Sequence, residues 1–246
     1  MQRYKIIIQY DGANYFGWQL QIQERTIQGE IERALAPLNN NNRVTVVGAG
    51  RTDAGVHAEG QVAHFDLDTN LKSVQLKRAI NARLPEDIKI SEIKKVSDDF
   101  HARFSGKKRY YRYQCYIGES LLFRNQAWLI ADIDKSTLDI FTEKIIGIHD
   151  FLSFSKVNKQ LDNTICKIYE SKWQKSENML IFTVCGNRFL HHMVRYLVGT
   201  MIAGARGKVS LDEFEALLNN PQKNVKIFKA PPEGLILFGI DYNEKL

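Results

Sequence analysis

Cysteine is scarce in this 246-residue chain. The three present, Cys115, Cys166 and Cys185, stand far apart, are odd in number and form no C-x-x-C pair. That excludes a disulfide framework and fits a reducing cytoplasm. Long apolar runs are missing too. None approaches the length that spans a bilayer, so no membrane partner is expected. The opening Met1–Tyr10 reads as a strand, without the longer apolar region of a secretory leader. No H-E-x-x-H pattern occurs and the six histidines are scattered. Adjacent His191 and His192 would point in different directions on a helix, so a metal site is not expected.

What is there suits a folded protein with an anionic partner. Hydrophobic residues make up 44% of the chain, enough for a core. The length allows one large domain or two of moderate size. The net charge is +6 and the pI about 9.1. Nucleic acid is the commonest partner for such a balance, although many soluble proteins are merely basic.

Hydrophobic periodicity predicts strands alternating with helices. Tyr4–Gln9 reads as a buried strand. Thr26–Leu38 reads as a helix capped by Thr26, with Ile27, Ile31, Ala34, Leu35 and Leu38 on one face and Pro37 near its end. Val44–Val47 and Gln61–Leu67 read as strands, Ser73–Leu84 as a helix stopped by Pro85, and Ile88–Val96 as a strand. This β-α-β-β-α-β order resembles the split βαβ, ferredoxin-like arrangement. A basic segment around 103–109 follows, and then the order loosely repeats. Tyr110–Tyr116 is a strand, Lys135–Ile146 a helix, and Ile165–Trp173 and Met179–Val184 are strands. Phe189–Ala205 is a long apolar helix, Ser210–Asn219 a helix with a Ser210/Glu213 capping box, and Leu235–Tyr242 a closing strand. The expectation is an α+β protein of two similar halves, 1–105 and 106–246.

Four stretches carry candidate chemistry. In Gly50-Arg-Thr-Asp-Ala-Gly-Val-His-Ala58, Asp53 stands two residues after Arg51 on a loop between strands. Gly48, Gly50 and Gly55 would permit positive φ and close ligand approach. An adjacent arginine keeps a carboxylate ionised, which suits a nucleophile or base; an Arg-x-Asp surface ion pair on an ordinary turn has the same spelling. In Tyr10–Gln21, Gly12 and Gly17 bracket Tyr15 and Phe16, and Trp18-Gln19 follow. These aromatics either present a base-stacking surface or fold back on the core. In Lys107–Tyr113, cations alternate with tyrosines. On a strand Lys107, Arg109, Tyr111 and Tyr113 share one face, and Lys108, Tyr110 and Arg112 the other. Such a run meets phosphates and bases, or is an ordinary exposed strand. In Asn187–Arg195, His191 and Arg195 are four apart, so on a helix they share a face that can meet a phosphate or simply line a core.

Taken together, these stretches resemble the TruA-type tRNA pseudouridine synthases. The resemblance runs nearly end to end through Tyr10-Asp-Gly, Gly17-Trp-Gln19, Thr26-Ile-Gln28, Gly50–Ala58, His101-Ala-Arg-Phe-Ser105, Arg109-Tyr-Tyr-Arg-Tyr113, Phe189–Arg195 and Gly234-Leu-Ile-Leu237. It implies a pseudouridine synthase fold: two ferredoxin-like halves, an extended mainly antiparallel sheet and a central basic cleft. It implies conversion of uridine to pseudouridine at nucleotides 38, 39 and 40 in the anticodon arm of tRNA, by a homodimer without metal or organic cofactor. Asp53 falls on the family's catalytic aspartate and Tyr111 on the tyrosine that packs against the target base. Arg51 and Arg195 fall on arginines near that aspartate, and Leu237 on an apolar pocket residue. His57 and Arg109, within the same motifs, are counted with the substrate-binding residues. One departure is Cys166 in Thr164-Ile-Cys-Lys, where an arginine is expected to meet RNA. The apolar face of Phe189–Ala205 and the region of Trp128 are candidate dimer surfaces.

The expected reaction breaks the bond from ribose C1′ to uracil N1 and joins C1′ to C5, after the base has left its stack. The carboxylate could attack C1′ or C6, or remove the 2′ proton. Two rivals come from other classes. A non-catalytic RNA-binding module would not need Asp53 in an anion-attracting cleft. A metal-dependent nuclease would want several carboxylates converging on a cation, and near Asp53 only Glu59 and Asp66 are available.

Overall fold

The computed structural model describes residues 1–156 and 163–242. The chain folds into two compact units: Met1–Lys107 with the chain end from Ile236, and Lys108–Leu235. Both are α+β, and their strand pairs are mostly antiparallel.

In the first unit β1 (Gln2–Tyr10) runs between β4 (Ile88–Lys95) and β3 (His57–Leu67), antiparallel to both. Alternate residues Tyr4, Ile6, Ile8 and Tyr10 are buried, as period-2 patterning requires. Helix α1 (Ile27–Leu35) starts at Thr26, whose hydroxyl accepts from the Gly29 amide at 3.3 Å. It ends before Pro37, which sits in a 3-10 turn. Helix α2 (Ser73–Asn81) stops short of Leu84. There the Asn81 side chain leaves the helical pattern to bond both backbone groups of Ile90.

Two local expectations fail here. Val44–Val46 are not strand; only β2 (Val47–Gly48) pairs, antiparallel to β3. The buried Glu32 carboxylate takes the Val46 amide at 3.0 Å and the Arg43 guanidinium at 2.8 Å, so the backbone there is satisfied by a side chain rather than a ladder. The closing strand β10 (Leu235–Asp241) does not stay with the second half. It runs parallel to β3, with Ile236 opposite His57 and Leu237 opposite Ala58.

In the second unit β5 (Lys108–Ile117), β9 (Met179–Gly186), β8 (Ile165–Ser176) and β7 (Gly147–Asp150) are successive antiparallel neighbours. The short β6 (Trp128–Ile130) pairs parallel to β5. Tyr113, Cys115, Trp173 and Phe182 are buried on one sheet face. Helix α3 (Lys135–Lys144) contributes Phe141, and α5 (Leu211–Asn219) contributes Phe214, whose rings meet edge to face at 5.0 Å. The α5 capping box forms both of its bonds. Helix α4 (Met193–Ala205) is buried almost all round. A Cβ on its Gly204 would lie 2.4 Å from the Phe141 ring. The apolar face of α4 is thus covered by its own chain.

That helix also begins later than its apolar run suggests. His192 is its N-cap at φ +64°, a conformation no helix interior contains. Phe189–His191 precede it as irregular chain and turn. His191 and Arg195 therefore do not share a helical face.

Candidate active-site residues

Asp53 lies on the link between β2 and β3, half-buried, after the exposed Arg51 and the buried Thr52. A second stretch of chain, Tyr10–Trp18, grips the backbone of this link. The Trp18 amide donates to the Thr52 carbonyl at 3.1 Å and the Gly55 amide to the Tyr15 carbonyl at 3.2 Å. The Tyr10 and Thr52 hydroxyls bond at 2.8 Å. Two glycines permit this closeness. A Cβ on Gly17, at φ +87°, would lie 2.5 Å from the Thr52 carbonyl oxygen, and one on Gly12 would lie 1.9 Å from that of Val56. Backbone thus packs on backbone at both ends of the aspartate's turn, and the turn is fixed before any ligand arrives.

Tyr15 and Trp18 fold back on the core, whereas Phe16 is exposed. Trp18 lies where a side chain on Gly48 would sit. Of the three glycines expected to permit positive φ, only Gly55 uses it, at +77°. Gly48 instead makes room for the indole.

His57 opens β3 and is buried. Its Nδ1 accepts from the Gly12 amide at 3.1 Å and lies 3.0 Å from an Asp11 carboxylate oxygen. The ring ties the Tyr10–Trp18 stretch to the strand that leaves Asp53. Leu237 is buried on β10 opposite Ala58, so it belongs to the same unit as Asp53.

Three further candidates lie in the second unit. Tyr111, on β5 opposite Val184, meets the Phe189 ring edge to face at 5.0 Å. Arg109, two residues earlier on the same strand, donates from Nη1 to the Asn187 carbonyl at 2.7 Å. The Asn187 side chain in turn accepts the Lys167 amide at 2.8 Å, so the irregular stretch after β9 braces both residues. Arg195, in the first turn of α4, is only 7% exposed. Its Nε donates to the Ala230 carbonyl at 2.9 Å, and the Ala230 amide returns a bond to the Arg195 carbonyl at 2.9 Å. One guanidinium edge is thereby locked while its remaining donors keep a fixed direction. Cys166 is fully buried, and burial raises its thiol pKa to about 11. The side chain at this position faces the interior, where it cannot meet RNA.

Sequence reasoning missed the supporting residues Thr52, Phe189 and Asn187, and the use of Gly12 and Gly17 as a clamp. The glycine pair was visible. What it packs against was not.

The chain matches the family model described as tRNA pseudouridine synthase over residues 6–105 and 142–243. It is 40% identical over 245 residues to the tRNA pseudouridine synthase A of Anoxybacillus flavithermus, covering 99% of this chain and 100% of the relative. The protein of that name from Dictyoglomus thermophilum is 40% identical over 247 residues, covering 98% and 100%. That from Listeria monocytogenes is 37% identical over 249 residues, again covering 98% and 100%. Likeness to solved structures is remote: an archaeal box H/ACA Nop10–Cbf5 complex gives a TM-score of 0.36 at 9% identity, over 81% of this chain and 43% of that one.

Proposed function

The chain belongs to the tRNA pseudouridine synthase family, and on that premise we propose that it isomerises uridine to pseudouridine at nucleotides 38, 39 and 40 of the tRNA anticodon arm, with Asp53 as the reacting carboxylate. The reaction is an isomerisation. The C1′–N1 bond breaks, a C1′–C5 bond forms, C5 loses its proton and N1 gains one. The target nucleotide must leave the stack for a side chain to reach its glycosidic bond. Asp53 then attacks C1′ or C6, or removes the 2′ proton. Arg51, exposed two residues upstream on the same link, orients the target nucleotide and can fill the space the flipped base vacates. Tyr111 stacks on the uracil and takes the C5 proton once the new bond has formed. Arg109, Arg195 and His57 position the nucleotide, and Leu237 packs against it. In this reading the anticodon arm lies in a basic cleft of two ferredoxin-like halves, and the protein works as a cytoplasmic homodimer without metal or organic cofactor.

One observation carries the assignment of Asp53: its turn is pressed between Gly12 and Gly17 at distances that leave no room for a Cβ. A surface ion pair needs no such rigidity. A carboxylate that must meet one carbon atom does, because misplacement by about 1 Å costs on the order of 100-fold in rate. Asp53→Asn keeps the shape and removes the charge. It should lower turnover by at least about 10³-fold and leave tRNA affinity within a few-fold of the unsubstituted protein. Appreciable turnover in a clean Asp53→Asn preparation would sink the assignment.

A further inference from the structure

His101–Ser105 is a tight turn near the end of the first unit's main run of chain. The His101 ring Nδ1 accepts from the amides of Arg103 at 3.2 Å and Phe104 at 3.3 Å. The Ser105 amide donates to the His101 carbonyl at 2.9 Å, and the Ser105 hydroxyl accepts the His101 amide at 3.1 Å. Ala102 anchors the turn from below. It is fully buried against Ala49 and Val62, its amide donates to His64 Nδ1 at 3.2 Å, and its carbonyl accepts from the Tyr242 hydroxyl at 2.7 Å.

This anchored turn holds a large apolar ring in water. Phe104 is 75% exposed. The His101 ring lies 4.3 Å from it at an interplanar angle of 31°, and the Arg103 guanidinium carbon lies 5.6 Å from its centroid. Scattered exposed apolar residues are ordinary on mobile loops. Here four consecutive amides, those of residues 102–105, are all bonded within the protein, and the ring already has an aromatic and a cation beside it. The charge around it is of one sign along the chain. From Phe100 to Gly118 the sequence carries Arg103, Lys107, Lys108, Arg109 and Arg112 and no carboxylate. Nearby carboxylates include Asp98 and Asp99 just upstream, Asp66, which pairs with Arg3 at 2.8 Å, and Asp241, whose backbone carbonyl accepts the Lys107 amide at 2.8 Å.

We propose that Phe104 is a stacking platform for an unpaired nucleobase of the tRNA substrate, with Arg103 and Lys107 meeting the adjacent phosphates. The proposal rests on the functional reading above. Every base offers a π-face to a fixed aromatic ring, and cations beside the ring engage the backbone that carries the base. Because the turn is formed in the free protein, binding loses little freedom on ordering it.

The test is the dissociation constant for an unmodified tRNA transcript, measured across a salt series with the full-length protein. Phe104→Ala should weaken binding roughly 5- to 100-fold, the range for loss of one stacked base. The slope of log Kd against log salt should stay unchanged, since no charge is removed. Phe104→Leu keeps an apolar side chain but cannot stack, and should lose nearly as much. Phe104→Trp should bind within about threefold of the unsubstituted protein, because indole stacks as well. Arg103→Gln should flatten the salt slope by about one phosphate contact. Unchanged melting temperatures confirm that the exposed substitutions leave the fold intact.

Retained affinity in Phe104→Ala or Phe104→Leu, with the unsubstituted protein binding and modifying tRNA, overturns the platform alone. Loss confined to Phe104→Ala, with Phe104→Leu normal, overturns stacking in favour of a plain apolar contact. A change in sedimenting mass with affinity unchanged assigns the ring to a contact between copies and also overturns it. Failure of the unsubstituted protein to bind tRNA contradicts the functional reading itself.

Discussion

Asp53 is held where it is by residues that bring no reactive group of their own. Gly17 is the clearest of them, because two constraints coincide there: a φ of +87° and a backbone oxygen 2.5 Å from where a Cβ would stand. Gly17→Ala must therefore move the Thr52–Ala54 backbone, and with it the carboxylate. The expected cost is about 1–3 kcal/mol of stability, together with a fall in turnover larger than the stability loss alone explains. Gly207→Ala separates the two effects. Gly207 has φ +69° but open space around it, so the change should cost about 1 kcal/mol and leave turnover intact. Melting temperatures and turnover numbers of both variants decide the matter. Equal turnover in the two would show that the clamp does not position the aspartate. The sequence displayed Asp53, Arg51 and both glycines plainly. It could not show that Gly17 and Thr52 touch, because that contact joins distant segments and leaves no periodic trace.

At the scale of elements, local rules read well wherever local forces decide. Thr26 caps α1, and Ser210 with Glu213 forms a capping box on α5, with bonds of 3.1 and 2.7 Å. Those signals are complete within four residues of sequence. Ser210→Ala should lower stability by about 1 kcal/mol and leave tRNA turnover unchanged, as thermal melts and turnover assays would show. An unchanged melting temperature would mean that tertiary packing, not the cap, sets this end of the helix. Local rules fail where a tertiary partner takes over a backbone group. Glu32 captures the amide of Val46 and ends a strand that β-branched residues advertise. His192 at φ +64° makes the apolar helix begin late, which removes the expected pairing of His191 and Arg195 on one face. The short β6 and β7 are not legible in the sequence, because runs of three and four residues carry too little periodicity.

At the scale of the molecule, the chain returns. Residues from Ile236 onward join the unit that begins at Met1, through a parallel pairing with β3. The return is not legible in the sequence, since strand pairing between distant segments is not written in either strand alone. Leu237 thereby shares a unit with Asp53, and the candidate residues divide between Arg51, Asp53, His57 and Leu237 in one unit and Arg109, Tyr111 and Arg195 in the other.

Global stability should also carry a pH signature. Burial, with His101 and Arg3 nearby, lowers the pKa of His64 to about 4, against a small opposing pull from Asp66. An unfolded His64 takes up its proton near pH 6.5, before the folded one does. Its contribution is thus complete above about pH 6.5 and is lost as pH falls toward 4, by at most about 3 kcal/mol. Protonation at Nδ1 would also end its acceptance of the Ala102 amide. Urea titrations between pH 7 and 4 should show a steeper loss for the unsubstituted protein than for His64→Gln. Parallel curves would remove His64 as the cause.

The most direct test of the account is to map pseudouridine. Purified protein, without added metal, is incubated with an unmodified tRNA transcript carrying uridines at nucleotides 38–40, and carbodiimide-dependent primer-extension stops are read alongside an Asp53→Ala control. The account predicts stops within 38–40 that vanish with Asp53→Ala. Stops that persist in the Asp53→Ala protein, or no stops although the tRNA is bound, would contradict it.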